Sequence, residues 1–226
     1  MPERIVTIDQ LAEQELRELA QLRVERWNGV LTKEHGEQKY DASLDALRSR
    51  RAIFPEGQLV LIGEVIMGAI HALRVSTTTK DFSEPMFENW HKLTGNGLYT
   101  THQGDGNTLV CPEVYSRELV IGETRHSGGK RLVQAALELG RRLRRESGLE
   151  RMIVYTRPFI ASFLKEKEEA EQAYLKAVYS GSHRDPVGMH HSLGARFVRF
   201  VASGRPSDDE TAGYTAILEY PLDGRP

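Results

Sequence analysis

The chain has 226 residues, 39% of them hydrophobic and 27% charged, and a formal net charge of −2; this is the make-up of a soluble globular protein, without the basic field that argues for nucleic acid. Its single cysteine, Cys111, excludes an internal disulfide and a cysteine-based zinc cluster. No run approaches the roughly 18 apolar residues of a membrane span, and Met1-Pro2-Glu3-Arg4 lacks a signal-peptide core, so a cytoplasmic protein without a membrane partner is expected.

Residues 5–8 read as a short strand, after which Asp9 is expected to cap a helix over residues 11–27. Leu11, Leu16, Leu19, Ala20, Leu22 and Val24 largely follow a helical period there. A second helix is expected over residues 43–53, then a turn at Phe54-Pro55-Glu56-Gly57. Residues 58–62 and 65–75 predict a hairpin joined at Gly63-Glu64. Residues 77–107 show little periodicity. A stretch this long without regular elements suggests a functional loop, and its Trp90, Tyr99 and glycines 95, 97, 104 and 106 suit one that folds over a ligand and borders an acceptor site. Residues 108–121 are expected to form one long strand with a bulge.

Arg125-His126-Ser127-Gly128-Gly129-Lys130 follows, between the apolar Leu119-Val120-Ile121 and an amphipathic segment over residues 132–145. Two glycines thus stand at a strand-to-helix junction. Glycine lets backbone approach a ligand closely. The first amides of a helix have no internal partner and face the positive end of its dipole. With Arg125 and Lys130 nearby, the physical reading is a phosphate cradle; the alternative is an ordinary glycine-containing helix start. A P-loop would need Ser or Thr after the lysine, where this chain has Arg131. A dinucleotide fingerprint would need a third glycine.

The helix should stop at Ser147-Gly148. A buried strand over residues 152–155 should lie parallel to the strand before the cradle. Residues 166–179 predict a helix, Asp185-Pro186 starts a short one ending at Gly194, and residues 197–201 and 214–220 are the final strands. With no repeat and no linker, residues 1–226 are expected to form one domain. Six histidines are scattered and only His190-His191 are close, so no metal site is expected. No Gly-x-Ser-x-Gly elbow is present for a hydrolase.

The stretch from Arg125 to Lys130 resembles the coenzyme A loop of the GNAT acyltransferases, Arg/Gln-x-x-Gly-x-Gly/Ala, with Arg125 in the first position, Gly128 in the middle one, and Lys130 where Gly or Ala is usual. The element order is also the GNAT order. His190-His191-Ser192-Leu193-Gly194-Ala195-Arg196-Phe197 resembles the family's Tyr-x-x-x-Gly-Phe segment. The turns at residues 54–58, 96–97 and 105–109, with Asp185-Pro186-Val187 and Gly194-Ala195-Arg196, resemble the GNAT domains found beside nitrilase-like hydrolases.

The resemblance implies an α/β (α+β) fold, a mixed central sheet of about seven strands flanked by helices. It implies a direct N-acyl transfer from acetyl-CoA, or another acyl-CoA, to a small-molecule or peptide amine; a homodimer is compatible with it. Leu119, Val120 and Ile121 would hold the thioester and pantetheine. Arg125, His126, Ser127, Gly128, Gly129 and Lys130 would hold the pyrophosphate. Glu118 would be the base, with Glu113 and a water relay as rivals; a surface carboxylate is the alternative. His190 stands at the family's tyrosine position and would be the acid, as an imidazolium favoured by a helix C-terminus; a half-buried histidine is the alternative. Tyr115 and Tyr179 are further candidate donors. Glu113-Val114-Tyr115-Ser116-Arg117-Glu118-Leu119 also resembles, with one residue too many, the Glu-x-Ser-Arg stretch of acyl-homoserine-lactone synthases. A non-catalytic acyl-CoA sensor is the other class.

Overall fold

A computed structural model of the chain describes residues 3–121, 124–165, 169–183 and 185–223. Seven strands form one mixed sheet: β1 (Arg4–Thr7), β2 (Gln58–Ile62), β3 (Ile66–Val75), β4 (Thr108–Ser116), β7 (Arg151–Thr156), β8 (Arg196–Val201) and β9 (Thr215–Tyr220). Their spatial order is β1-β2-β3-β4-β7-β9-β8. A separate antiparallel hairpin joins β5 (Glu118–Ile121) to β6 (Thr124–Ser127), pairing Glu118 with Ser127 and Ile121 with Thr124. Among the described residues, the one parallel pairing within the seven-stranded sheet is β4 with β7. The helix α5 (Gly128–Ser147) intervenes between them in the chain, as a parallel pair requires a crossover.

The sheet separates two apolar layers. On one face, Leu132, Val133, Ala136, Leu139 and Leu143 of α5 pack on Leu109, Cys111, Met152, Val154 and Leu218. That layer also takes in α7 (Ala170–Tyr179) and α8 (Pro186–Ser192) through Tyr174, Val178 and Val187. On the other face lie α1 (Glu13–Arg26), α2 (Asn28–His35) and α3 (Lys39–Ile53), whose Leu16, Leu19, Leu31, Leu44 and Leu47 cover Val60, Ile62, Ala69 and Tyr115.

Several expectations are corrected. Residues 77–107 are not a covering loop but a packed layer. Phe82, Phe87, Trp90, Leu93 and Tyr99 bury themselves on Leu73, Val110, Ile153, Tyr155 and Ile217. The segment carries α4 (Trp90–Thr94) and a single helical turn at Pro85–Glu88. Its aromatics follow no helical or strand period because turns, rather than regular elements, present them to the sheet. The strand expected over residues 108–121 is two, separated at Arg117, whose amide donates to Met67 O at 2.7 Å. Asp9 caps nothing: it lies in the 3-10 turn Ile8–Gln10, and α1 begins after Ala12, whose amide donates to Glu15 Oε2 at 2.8 Å. Neither α2 nor α6 (Ala161–Leu164) was anticipated, since each is too short to show a period. Residues 166–168 of the expected 166–179 helix lie outside the described residues.

Candidate active site at the parting of two strands

The parallel ladder of β4 with β7 runs from Thr108↔Arg151 to Cys111↔Val154 and stops. Pro112 comes next, and proline has no amide to donate to a neighbouring strand. The register against β3 also shifts there, from Leu73↔Val110 to His71↔Glu113, so two residues of β4, Cys111 and Pro112, face one of β3. A bulge bends its strand. β4 therefore leaves β7, and the two enclose a V-shaped cleft. It is lined by Ile70, Cys111, Pro112, Glu113 and Val114 on one side, by Val154, Tyr155, Thr156 and Arg157 on the other, and by Trp27, Pro186 and His190 across its ends.

His190 is supplied by α8, which starts where Asp185 accepts from the amide of Gly188 at 2.9 Å. Asp185 also accepts from the amide of Phe159 at 3.2 Å and from the Tyr174 hydroxyl. One carboxylate thus ties α8 to α7 and to the segment after β7. His190 is 1% exposed. Its Nδ1 lies 2.8 Å from the Tyr220 hydroxyl, and its Nε2 has no hydrogen-bond partner among the described residues. Burial pulls the imidazole down to about 3. The imidazolium expected from the helix C-terminus is therefore overruled: in an apolar surrounding, loss of hydration outweighs a partial helix charge. His190 is a neutral imidazole at neutral pH.

Glu113, a candidate base, is held differently. Its carboxylate accepts from Arg23 Nε at 2.6 Å and from Arg50 Nη2 at 3.0 Å, with all three side chains buried. Burial alone would raise its pKa, but the two guanidiniums hold it far below the usual carboxylate range. A carboxylate so stabilised is a poor proton acceptor. Tyr115, also considered a donor, is buried with its hydroxyl 3.1 Å from His71 Nε2, and burial and the Glu113 charge push its phenol up. Tyr179 lies outside the cleft, its ring 4.3 Å from that of His191.

The wall made by Trp27 is braced by cations. Arg157 stands 4.8 Å and Arg205 4.6 Å from its ring centroid, and Arg205 is also 4.1 Å from that of Trp90. Arg157 in turn is gripped by Asp208 at 2.5 and 2.7 Å. Arg205 pairs with Glu34 of α2 at 3.3 Å. The polar segment after β8 is therefore a strap fastened over this end of the cleft.

The helix α5 begins at Gly128, beside Leu61 of β2 and Ser116 at the end of β4. A Cβ built there would lie 3.2 Å from both Leu61 Cδ2 and Ser116 Cβ. The glycine allows close packing of the helix start on β2 and β4, a different reason from backbone approach to a ligand. Gly129 is buried beside it and Lys130 is exposed. The side chains of Glu118, Leu119, Val120, Ile121, Arg125, His126 and Ser127 lie outside the described residues.

The structure thus gathers Glu113 and His190 in one cleft, while α5 starts beside the end of β4. It adds Trp27, Cys111, Thr156 and Arg157, which sequence reasoning had not singled out. One signal was available: a proline in the interior of a strand-like run marks a bulge or an edge, and Pro112 stands at the parting.

No known family profile matches the chain, and no curated protein matches it in sequence. Among the solved structures that resemble it are three matched over nearly its whole length. The GphF GNAT-like decarboxylase in complex with isobutyryl-CoA is 23% identical, with a TM-score of 0.66 over 97% of this chain and 99% of that one. The loading GNATL domain of CurA from Lyngbya majuscula is 19% identical, with a TM-score of 0.62 over 100% of each. The aminoglycoside 6'-N-acetyltransferase from Enterococcus faecium is 11% identical, with a TM-score of 0.54 over 99% of each.

Proposed function

We infer that this chain, whose fold is that of the GNAT proteins it resembles, acts on the acyl group of an acyl-coenzyme A laid in the cleft between β4 and β7, and that its reaction is decarboxylation of a small carboxyacyl-CoA. The observation that carries the reading is His190: buried, neutral and, among the described residues, unpartnered at Nε2, in a cleft where the carboxylate among the described lining residues, Glu113, is locked by two arginines. Removing a proton from an attacking ammonium calls for a base, and Glu113, the carboxylate that the described residues place in the cleft, is unsuited to it. Decarboxylation calls for none.

In that reaction the bond between the carboxylate and the α-carbon breaks, carbon dioxide leaves, and the electron pair passes into the thioester as an enolate. The α-carbon then takes a proton from water, giving the shorter acyl-CoA. The residues present suit the bond-breaking step. Apolar walls at Ile70, Val114 and Val154 strip water from a carboxylate, which penalises the charged reactant more than the neutral product. A neutral imidazole N–H at His190 and the hydroxyl of Thr156 can donate to the enolate oxygen as its charge develops. The amides at the start of the 20-residue helix α5 suit the pyrophosphate of coenzyme A. Support also comes from the GphF neighbour, described as a GNAT-like decarboxylase bound to isobutyryl-CoA.

The second reading is acyl transfer from acetyl-CoA to an amine. It is favoured by the acidic strap, where Asp209 and Glu210 stand exposed near Trp27, paired with Lys33 and Arg157, and a cationic acceptor can exchange for those partners. One experiment separates the two. Incubation with malonyl-CoA, followed by mass spectrometry, should show acetyl-CoA without any amine added. Release of free coenzyme A from acetyl-CoA only when an amine is present, with malonyl-CoA left intact, would select the transferase.

A further inference from the structure

The apex of the cleft has a definite size and definite walls. It lies where the last ladder pair, Cys111 with Val154, still holds the strands together. Ile70 of β3 packs with both. Pro112 and Pro186 complete the lining, and their fixed φ angles leave that backbone little freedom to give way. The whole cleft, apex included, encloses about 40 Å³, against about 150 Å³ for an engineered apolar cavity that admits benzene. The polar lining groups, Glu113, Thr156, Arg157 and His190, come from the stretches beyond that last pair or from α8. The apex itself is apolar apart from the thiol of Cys111, which burial pushes up to about 12 and so keeps protonated and unreactive.

We propose that this apex is the seat of the acyl substituent, and that Cys111 and Val154 set the acyl length the protein accepts: roughly two or three carbon atoms, as in malonyl or acetyl groups, with branched or longer chains disfavoured. The proposal rests on the reading of the cleft as an acyl-coenzyme A site. Its physical basis is that β4 and β7 cannot part further toward Cys111 and Val154 without breaking their ladder, so only the side chains there decide how much room the acyl end has. Cys111 is the smallest side chain among Ile70, Cys111 and Val154. In an apolar pocket one methylene changes selectivity by roughly tenfold or more.

The test is calorimetric binding of free coenzyme A, acetyl-CoA, butyryl-CoA and isobutyryl-CoA to the unmodified chain and to Cys111→Ala, Val154→Ala and Cys111→Leu. The unmodified chain should favour acetyl-CoA over butyryl-CoA. Either alanine variant should shift that ratio of dissociation constants toward butyryl-CoA by about fivefold or more. Cys111→Leu should weaken every acyl-CoA while leaving free coenzyme A unchanged, which also shows that the variant is folded. An identical ranking in all four proteins, with coenzyme A bound by each, overturns the proposal and leaves the acyl-coenzyme A reading standing. Failure of the unmodified chain to bind coenzyme A overturns both.

Discussion

The hydroxyl of Tyr220, on β9, lies 2.8 Å from Nδ1 of His190, on α8. The same oxygen is 3.4 Å from the His190 carbonyl, so the shorter contact is the one its single proton serves best. A phenol donating to Nδ1 leaves the imidazole proton on Nε2, the nitrogen without a partner. Tyr220 thereby decides whether His190 is a donor in the cleft. Tyr220→Phe should leave the affinity for coenzyme A unchanged and lower turnover by about tenfold or more, toward the range attributed to a positioned acid or base. Nitrogen NMR of a histidine-labelled sample gives the independent check: the tautomer of His190 should change in the variant, and an unchanged tautomer would remove Tyr220 from this role.

Glu113 is the one anion between Arg23 and Arg50. Glu113→Gln strands two buried guanidiniums, and breaking a buried pair of this kind costs about 3–5 kcal/mol. Urea unfolding should show a loss of that order. A loss below about 1 kcal/mol would mean that the arginines find other partners.

Stability should fall on mild acidification, and the sign follows from the direction of each shift. His190 is lowered to about 3, and His71, buried between Gln58 and Tyr115, is also well below its ordinary value. Below about pH 6.5 the unfolded chain takes up protons at these rings while the folded one does not, so stability declines as pH falls, by up to about 1.4 kcal/mol per unit and group. Glu113 and Glu34, the latter held at about 2, add their own loss below the ordinary carboxylate range, since their stabilisation exists only while they are ionised. Urea midpoints between pH 7 and 5 should drop in the unmodified chain and drop less in His190→Gln. Equal slopes in the two would contradict the buried neutral histidine.

Gly128→Ala places a Cβ 3.2 Å from Leu61 Cδ2 and Ser116 Cβ. The end of the leucine side chain can yield, and alanine is the better helix former, so the net change should be within about 1 kcal/mol. Gly128→Asp instead buries a charge against apolar atoms and should destabilise by several kcal/mol or more. Thermal unfolding measured beside coenzyme A titration tells loss of fold from loss of binding in that variant. Unchanged stability and unchanged affinity together would refute the close packing at this helix start.

Trp90→Ala should be among the most damaging changes in residues 77–107. Trp90 is 3% exposed, packs in the core under the sheet, and faces Arg205. Loss of about 3–5 kcal/mol is expected for a buried tryptophan. An exposed covering loop, as the sequence had suggested, would tolerate the change, so denaturant midpoints decide between the two descriptions.

Read alone, the sequence determined the local matters. Apolar alternation and turn residues placed β2, β3, β8 and β9. The amphipathic run placed α5 and its stop at Ser147, with Gly148 at φ 67. The capping pair Asp185-Pro186 placed α8, and the strand–helix–strand order anticipated the parallel partner of β7. These features depend on residues a few positions apart, which periodicity and backbone preference record directly. What His190, Glu113 and residues 77–107 do was decided only by the tertiary structure. The imidazole was expected to be charged and is neutral because the sheet and Tyr220 bury it. Glu113 is disarmed by Arg23 and Arg50, which stand 90 and 63 positions away along the chain. Trp90 and Tyr99 are core because a sheet face lies beneath them. Desolvation and ion pairing depend on distance in space, and that distance exists only once β4 bends at Pro112 and parts from β7.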